Sequence, residues 1–445
     1  MTQTAPIRLI SPTWIAPVIP AGVVLENHSL VVAGQHILAL LPTPEALLAY
    51  PDAANLVLTE HIVTPGLVNA HGHAAMTLLR GYADDRQLMD WLNNHIWPVE
   101  AQFVDYDFVY DGTCLAVAEM LRSGTTCAAD TYFFPDAVAN AFSHNHFRGQ
   151  VCMPVVEFPN AWAKTEDEHI HKGLQFRDNL VKNNPLLTTA FAPHSPYTVS
   201  DRGFERTLVY AEELQLPIHL HLHETSTEVG DAVKSRGQRP IARIHDLGLL
   251  SPLLQTVHMT QLNSAEIALL ADNNVHVAHC PESNLKLASG FCPVGELRQS
   301  GINVAIGTDG AASNNNLDML EEMRTAAILA KAVSQDATMV SAFDALAMAT
   351  INGARLLGLE DTIGSLEPGK RADFIAVDLS DLCFQPVLNP VSQLVYAATG
   401  HQVSHVWIDG RHLLAAGQFT ELDSQRIRAN TRQWQHKISQ FRKPA

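Results

Sequence analysis

Two kinds of hydrophobic pattern divide the chain. Residues 1 to about 60 alternate short apolar runs with turn residues, as in Ser29-Leu-Val-Val-Ala-Gly, and such runs predict small antiparallel strands. The same pattern returns near the end of the chain, at Asp373-Phe-Ile-Ala-Val-Asp and His405-Val-Trp-Ile. We therefore expect both termini to build one small β-sandwich domain, which a C-terminal helix over about 422–441 completes.

Between these segments, apolar strand, polar corner and amphipathic helix follow one another repeatedly, with helical patterns over 107–123, 264–273 and 341–357. Eight strand-helix units over about 250 residues have the size and pattern of a closed parallel barrel. The predicted fold class is therefore α/β, a (β/α)8 TIM-like barrel beside the small β domain. The eight predicted strands are 62–70, 125–131, 150–156, 187–193, 217–223, 253–259, 274–280 and 302–308.

The changes of pattern also give the predicted domain ranges. Residues 1–61 form the first part of the β-sandwich, and residues 62–365 form the barrel. Residues 366–445 form the second part of the β-sandwich and the C-terminal helix. This division makes the barrel one continuous insertion between the two parts of the small domain.

Polar side chains follow most of the predicted barrel strands, at the strand ends where such barrels carry their chemistry. The first strand ends in His71-Gly-His73, and alternate residues of a strand share a face, so both imidazoles point the same way. Several imidazoles and a carboxylate suit a zinc-like cation, so we predict a metal site there. The polar residues at the later strand ends are Asp130, Glu157, His194, His219, His221, His223, Glu224, His258, His279 and Asp309.

Spacing alone leaves the full ligand set open. His219, His221 and His223 share one face, but only one or two of them can reach a centre common with the first pair. Asp309 offers an anionic oxygen that can also accept a proton from metal-bound water, although an aspartate beside Gly310 also suits a plain turn. Zinc lowers the pKa of its bound water to about 7.

Two neighbouring positions narrow the chemistry further. Glu224 follows the histidine run and is a candidate proton shuttle. His194 stands at the end of strand 4, where a lysine would be needed for a carboxylated side chain that bridges two metals. We therefore expect one divalent metal, with zinc ahead of iron and manganese.

Composition excludes several classes of partner. The formal net charge of −17 opposes binding to phosphate backbones, which needs a basic surface. No run of eighteen apolar residues occurs, so no membrane span is predicted. The six cysteines are scattered and fit buried thiols in a reducing compartment. We expect a cytoplasmic protein with a small-molecule partner.

Longer motifs resemble the amidohydrolase superfamily, in its branch of 5′-methylthioadenosine and S-adenosylhomocysteine deaminases that is grouped with chlorotriazine hydrolases. These motifs lie along nearly the whole chain, and their combination is specific. They are Pro65-Gly-Leu-Val-Asn-Ala-His-Gly-His, Ala192-Pro-His-Ser-Pro-Tyr, His221-Leu-His-Glu-Thr, Ser283-Asn-Leu-Lys-Leu, Gly307-Thr-Asp-Gly-Ala-Ala-Ser-Asn-Asn and Gly364-Ser-Leu-Glu-Pro-Gly-Lys-Arg-Ala-Asp.

The resemblance implies a role for each matching residue. His71, His73, His221 and Asp309 would hold the metal. Glu224 would protonate the purine ring nitrogen, and His258 would orient the attacking hydroxide or stabilise the developing charge. Asp309 would take the proton of the water and help pass it to the departing ammonia. The implied substrate contacts are Glu100 at the ribose hydroxyls, His194 near the sugar, and Trp91 at an apolar wall or packed in the core.

The implied activity is the hydrolytic deamination of an adenine nucleoside. Relatives that accept S-adenosylhomocysteine carry arginines after strand 3 that bind its carboxylate, whereas this chain reads Val151-Cys-Met-Pro-Val-Val-Glu-Phe-Pro-Asn there. The expected reaction therefore converts 5′-methylthioadenosine to 5′-methylthioinosine and ammonia, in a chain that self-associates. Alternatives are deamination of S-adenosylhomocysteine, adenosine, guanine or 8-oxoguanine, hydrolysis of a triazine, and a non-enzymatic scaffold.

Overall fold

The structure is a computed structural model that describes residues 6–180 and 184–441. It contains a nine-stranded sheet built from both ends of the chain and an eight-stranded parallel sheet between them. The N-terminal strands of the first sheet are β1 Ile7–Ile15, β2 Leu25–Glu26, β3 His28–Ala33, β4 His36–Pro42 and β5 Ala54–Pro65.

The parallel sheet forms the barrel, and its strands follow one another in chain order. Most are wholly buried, as parallel strands covered on both faces are, although polar residues alternate with apolar ones in several of them. The barrel strands are β6 Leu67–Gly72, β7 Thr125–Thr131, β8 Arg148–Val155, β9 Leu187–Pro193, β10 Ile218–Leu222, β11 Leu254–His258, β12 His276–His279 and β13 Val304–Ile306.

The C-terminal strands return to the first sheet, where β14 pairs with β5 and so joins the two ends of the chain. The prediction of a barrel beside one small β domain built from both termini is therefore confirmed. The domain boundaries stay a prediction, and the outer ends of the ranges 1–61 and 366–445 lie outside the described residues. The C-terminal strands are β14 Phe374–Asp378, β15 Val403–Ile408, β16 Arg411–Ala415 and β17 Gln418–Phe419.

The single strand predicted over 62–70 was wrong, because the chain changes sheet at Gly66. Gly66 N donates to Asp373 O of the small domain at 3.1 Å, whereas Leu67 N donates to Gly124 O of the barrel at 3.0 Å. A Cβ at residue 66 would lie 2.0 Å from Thr126 Oγ1, so only glycine allows this approach. The sequence around Gly66 is apolar on both sides, so its pattern gives no sign that the chain leaves one sheet and enters the other.

Barrel closure brings β6 next to the residues that follow β13. Gly72 and Asp309 form a parallel bridge, and Asp309 N donates to His71 O at 3.0 Å. A Cβ at Gly307 would lie 2.7 Å from His71 N, so a glycine is needed where the end of β13 meets β6. The closure thus places Asp309 beside His71, although 238 positions separate them in the chain.

Helices surround the barrel, and the C-terminal helix packs against its side, where Trp434 Nε1 donates to Asp111 Oδ2 at 2.9 Å. None of the helices in the described ranges is both long and apolar enough to cross a membrane. The helices are α1 Thr43–Ala49, α2 Leu88–Trp91, α3 Trp97–Phe103, α4 Tyr106–Arg122, α5 Pro135–His144, α6 Glu166–Leu180, α7 Asp201–Leu214, α8 Ser226–Arg236, α9 Pro240–Asp246, α10 Ser264–Asp272, α11 Pro281–Lys286, α12 Val294–Gln299, α13 Met319–Ser334, α14 Ala342–Met348, α15 Ile351–Leu356, α16 Pro390–Tyr396 and α17 Ser424–Phe441.

The helical run predicted over 341–357 is two helices, α14 and α15, with a break at Thr350 (φ −132°, ψ −93°). The break frees the carbonyl of Ala349, which accepts a hydrogen bond from Val68 N of strand β6 at 2.8 Å. A barrel contact therefore interrupts a sequence whose local preference is helical.

A buried ion pair connects the barrel to the small domain. Arg148, at the start of β8, donates through Nε to Asp373 Oδ2 at 2.6 Å and through NH2 to Asp373 Oδ1 at 3.1 Å. Asp409 N also donates to Asp373 Oδ1, at 2.7 Å. Both partners of the pair are almost fully buried, so the removal of one would leave an uncompensated charge.

Candidate metal centre and substrate cavity

Four side chains that were predicted to hold a metal converge at the C-terminal end of the barrel. His71 Nε2 and His73 Nε2 lie 3.5 Å and 3.3 Å from Asp309 Oδ1. His221 Nε2 lies 3.2 Å from His71 Nε2. Three imidazole nitrogens and one carboxylate oxygen are a ligand set that zinc, iron and manganese accept.

Two of these histidines, His73 and His221, each have a backbone carbonyl next to Nδ1, and this contact decides which ring nitrogen faces the centre. His73 Nδ1 lies 2.5 Å from Thr131 O, and His221 Nδ1 lies 2.8 Å from His194 O. A backbone carbonyl can only accept, so each Nδ1 carries the proton and donates it. When its ring is neutral, each histidine therefore presents an unprotonated Nε2 to the centre, as metal binding requires.

Asp309 is held as a carboxylate. Ser283 Oγ and Ser313 Oγ donate to its Oδ2 at 2.6 Å and 3.1 Å, and Gly310 N donates to its Oδ1 at 2.8 Å. Burial raises the pKa of Asp309, but the contacts with His71 and His73 outweigh burial and hold the pKa well below its usual value. The anionic oxygen therefore remains available to a cation.

Without a metal, the contact between His73 and Asp309 changes the pKa of His73. Burial lowers the pKa of His73, whereas its hydrogen bond to Asp309 and the charge of that carboxylate raise it to a net value of about 9. Burial dominates at His71 and His221 and lowers the pKa of each well below its usual value. In the absence of a cation, His73 therefore holds the compensating proton.

Glu224 and His258 lie next to this centre. His258 Nε2 is 3.8 Å from Glu224 Oε2, and His258 Nδ1 is 2.9 Å from Asn284 Oδ1. Burial raises the pKa of Glu224 above its usual value, so its carboxyl keeps a proton at a higher pH than an exposed glutamate does. Glu228 fixes the loop by accepting from the backbone N of Glu224 at 2.7 Å.

A cavity of about 640 Å³ opens beside the four converging side chains. Trp91, Glu100, His194, Glu224 and His258 line it, as do His73, His221 and Asp309, whereas His71 lies behind them and is fully buried. One wall is apolar and is formed by Leu88, Met89, Trp91, Leu92, Ile96 and Trp97. Of the described residues that line the cavity, none is a lysine or an arginine.

Glu100 has a partner that the sequence did not reveal. Tyr132 Oη donates to Glu100 Oε1 at 2.5 Å, which leaves Oε2 for another donor. Burial raises the pKa of Glu100 to about 7, because it outweighs the opposing effects of Tyr132 and His73. A carboxylate placed this way can accept hydrogen bonds from the hydroxyls of a ligand.

Other residues at strand ends lie outside the converging group. Asp130 Oδ1 accepts from Ala74 N at 2.5 Å and so holds the turn after His73. His223 contacts Gln261 O through Nδ1 at 3.0 Å and anchors a loop. His279 is fully buried, and neither of its ring nitrogens has a hydrogen-bond partner among the described residues.

Sequence analysis missed several residues that hold the site together. Ser283 and Asn284 lie inside the matched motif that begins at Ser283, so the motif carried a signal that was not assigned to a role. Ser313 likewise lies inside the motif that begins at Gly307, whereas Tyr132 follows the end of β7, where a tyrosine has no distinguishing sequence pattern. Their contacts become visible only when the barrel closes.

A parallel barrel with histidines and an aspartate converging at the C-terminal ends of its strands is an arrangement typical of metal-binding barrel enzymes. The model of the amidohydrolase family matches residues 62–413, and the chain belongs to this family. A protein from Teredinibacter turnerae named 5-methylthioadenosine/S-adenosylhomocysteine deaminase is 52% identical over 439 residues, which cover 98% of this chain and 99% of that protein.

Two further similarities agree with this family. A protein of the same name from Saccharophagus degradans is 49% identical over 98% of each chain. A crystal structure of an adenosine deaminase from Xanthomonas campestris with bound zinc superposes with a TM-score of 0.95 at 50% identity, and the match covers 98% of this chain and 100% of that one. The predicted resemblance to the amidohydrolase superfamily is thus confirmed.

Proposed function

We propose that the chain is a metal-dependent hydrolytic deaminase of adenine nucleosides whose preferred substrate is 5′-methylthioadenosine. The observation that carries this proposal is the convergence of three imidazoles and Asp309 beside a buried carboxyl with a raised pKa, in one cavity. The names of the relatives in Teredinibacter turnerae and Xanthomonas campestris support it.

The proposed cofactor is one divalent ion, zinc, held by His71, His73, His221 and Asp309. Such an ion supplies a water whose pKa is about 7 rather than that of free water. The position of His194 supports a single ion, because a carboxylated lysine cannot form there. The Nε2 atoms and the ionised Asp309 fit the ion once His73 gives up the proton that it holds in the metal-free site.

Glu224 and His258 handle protons and orientation in this proposal. Burial raises the pKa of Glu224, which favours the protonated carboxyl that donates to purine N1 and makes C6 electrophilic. His258, 3.8 Å from Glu224, orients the incoming oxygen. Asp309 takes the proton that the attacking water gives up and passes it to the amine that leaves C6 as ammonia.

The remainder of the cavity supports a neutral 5′ substituent. Glu100 accepts hydrogen bonds from the ribose hydroxyls, and His194 lies near the sugar. The apolar wall that includes Trp91 and Met89 suits a methylthio group. The carboxylate of S-adenosylhomocysteine would lie in a cavity whose described lining lacks lysine and arginine, and it would lose hydration without a charged partner.

The test is a substrate panel with two variants. Zinc-loaded enzyme is assayed for ammonia release from 5′-methylthioadenosine, S-adenosylhomocysteine, adenosine, guanine and 8-oxoguanine, and for chloride release from a chlorotriazine. We expect the highest kcat/KM for the first. Glu224→Gln should lower kcat by about 10²- to 10⁴-fold while zinc stays bound, whereas the exposed control Glu213→Gln should match the wild type. Near-normal turnover by Glu224→Gln, or a preference for another compound, contradicts the assignment.

We further propose three properties. The six free cysteines, of which only Cys383 is exposed, suit a reducing cytoplasm, although the exposure of Cys383 departs from the burial expected for all six. The second proposed property is self-association, which the resemblance implies and which native mass spectrometry measures. The proposed domain ranges are 1–61, 62–365 and 366–445.

A further inference from the structure

His71 differs from the other two histidine ligands in the group that its Nδ1 contacts. His73 and His221 each donate to a backbone carbonyl, whose direction is fixed by chemistry. His71 Nδ1 instead lies 2.8 Å from Nε2 of a second histidine, His219. Either nitrogen of such a pair can be the donor, so the contact alone does not decide which nitrogen of His71 is free.

The next contacts decide it. Leu356 O is a carbonyl at the C-terminal end of helix α15 and can only accept. Gln255 Nε2 donates to it at 2.6 Å, so Gln255 Oε1 is the amide atom that lies 3.0 Å from His219 Nδ1. An amide oxygen also only accepts. His219 Nδ1 must therefore carry the proton.

The consequence extends to the metal centre. His219 and Gln255 are each 1% exposed, and a charged ring at that depth would need a counter-charge, whereas its hydrogen-bond partners are an amide and another imidazole. A neutral His219 protonated at Nδ1 has a lone pair at Nε2. His71 must then donate from Nδ1, and its own Nε2 is left unprotonated toward Asp309.

Strand register makes this arrangement possible. His219 on β10 and Gln255 on β11 are direct neighbours in the parallel ladder, which keeps their side chains at one level of the barrel interior. His219 lies two residues before His221 on the same strand, and its side chain points to the same face. It therefore lies deeper in the barrel than His221 and contacts the Nδ1 side of the His71 ring. Gln255 in turn joins His219 to helix α15, because its amide contacts His219 Nδ1 and donates to Leu356 O at the end of that helix.

We propose, building on the metal site proposed above, that His219 and Gln255 are positioning residues that fix the tautomer and the ring orientation of His71. Three buried hydrogen bonds run in one direction, from His71 to His219, to Gln255 and to Leu356 O. If the amide of Gln255 is lost, His219 can adopt its other tautomer and donate to His71, which places a proton on the Nε2 that should bind the metal.

The test measures zinc itself. Gln255→Met keeps the length of the side chain but removes the acceptor, and His219→Phe keeps a planar ring without nitrogen. The matched control is Thr256→Val, which removes the buried bond from Thr256 Oγ1 to His276 O on the same strand without contact to the centre. Zinc affinity is measured by competition with a chromogenic chelator, below the unfolding temperature of every metal-free variant.

We expect Gln255→Met and His219→Phe to weaken zinc binding by about 10- to 100-fold, and Thr256→Val to leave it within about threefold. Spectra of ¹⁵N-histidine-labelled Gln255→Met should also show a changed His71 ring tautomer, which a loss of packing alone would not cause. Equal zinc affinity in the wild type and Gln255→Met, or an equal loss in Thr256→Val, overturns the inference alone. A wild type that binds no zinc overturns the metal site as well.

Discussion

Two groups of histidines in this chain are similarly crowded but differ in what their nitrogens can reach. In the barrel, the rings of His71 and His221 have centroids 4.8 Å apart. In the small domain, those of His405 and His412 are 5.0 Å apart, and His412 stacks on Trp407 at 4.2 Å. The described residues contain two groups whose potential ligand atoms all lie within 4.8 Å of one another, and both are in the barrel.

The difference comes from the direction of the side chains. Neighbouring strands of the small sheet place His405 and His412 side by side, where Nδ1 of one meets Nε2 of the other at 2.9 Å. The closed barrel instead points side chains from several strands toward one centre, while acceptors behind each ring take the Nδ1 proton. Crowded histidines therefore make a metal site only when their lone pairs converge and a carboxylate joins them.

The largest effect is expected when one histidine of the barrel group is removed. His221→Ala should lower zinc affinity by roughly 10³-fold, because a four-ligand zinc site contributes about 10–16 kcal/mol in total, and turnover should fall to background. His412→Ala should retain zinc and activity. Zinc content by elemental analysis and deaminase assays compare the two variants, and retention of zinc by His221→Ala would remove the contrast between the groups.

The second prediction breaks the link between the two regions. Arg148→Met leaves Asp373 buried without its partner and should destabilise the fold by about 3–5 kcal/mol. Arg202→Met removes an exposed pair with Asp167 and should change stability by less than about 1 kcal/mol. Thermal unfolding of both variants checks this, and a similar midpoint for the two would mean that the buried pair does not connect the domains energetically.

The third prediction concerns the cavity of the barrel. Glu100→Gln should raise KM for 5′-methylthioadenosine by about 10- to 100-fold, because hydrogen bonds to a charged acceptor contribute about 1.5–3 kcal/mol. It should have little effect on 2′,3′-dideoxyadenosine, which lacks the hydroxyls. An equal effect on both nucleosides would place Glu100 elsewhere than at the ribose.

The same residue predicts a pH dependence. The pKa of Glu100 is raised to about 7, and only the ionised form accepts from both hydroxyls. The wild-type KM for ribosides should therefore fall as pH rises through about 7, and Glu100→Gln should lack this change. Initial rates between pH 6 and 8.5 measure it.

The smallest expected effect lies in the small domain. Burial lowers the pKa of His405 and His412 to about 4, so the unfolded chain binds more protons than the folded one between about pH 4 and 6.5. Stability should therefore be lost as pH falls through that window. His412→Gln should make the unfolding midpoint fall less with acid, whereas the exposed control His245→Gln should follow the wild type. A steeper fall in His412→Gln contradicts the sign.

Local pattern was sufficient for much of the fold and part of the site. The His71-Gly-His73 pair follows from the period of a strand, and the C-terminal helix predicted at 422–441 is found at Ser424–Phe441. The sheet change at Gly66 and the helix break at Thr350 were missed. Both depend on residues distant in the chain, Thr126 and Val68, which override a continuous apolar run and a helical one.

The sequence by itself determined which residue types stand at the ends of which strands, because alternation and strand-helix rhythm are properties of neighbouring residues. Spacing left the run 219–223 open and the family motif named His221, but only the tertiary structure decided which nitrogen each ring presents and that Tyr132 contacts Glu100. The physical reason is that lone-pair direction depends on the acceptor behind each ring, and those acceptors, such as Thr131 O, His194 O and Gln255 Oε1, are supplied by other strands once the barrel closes.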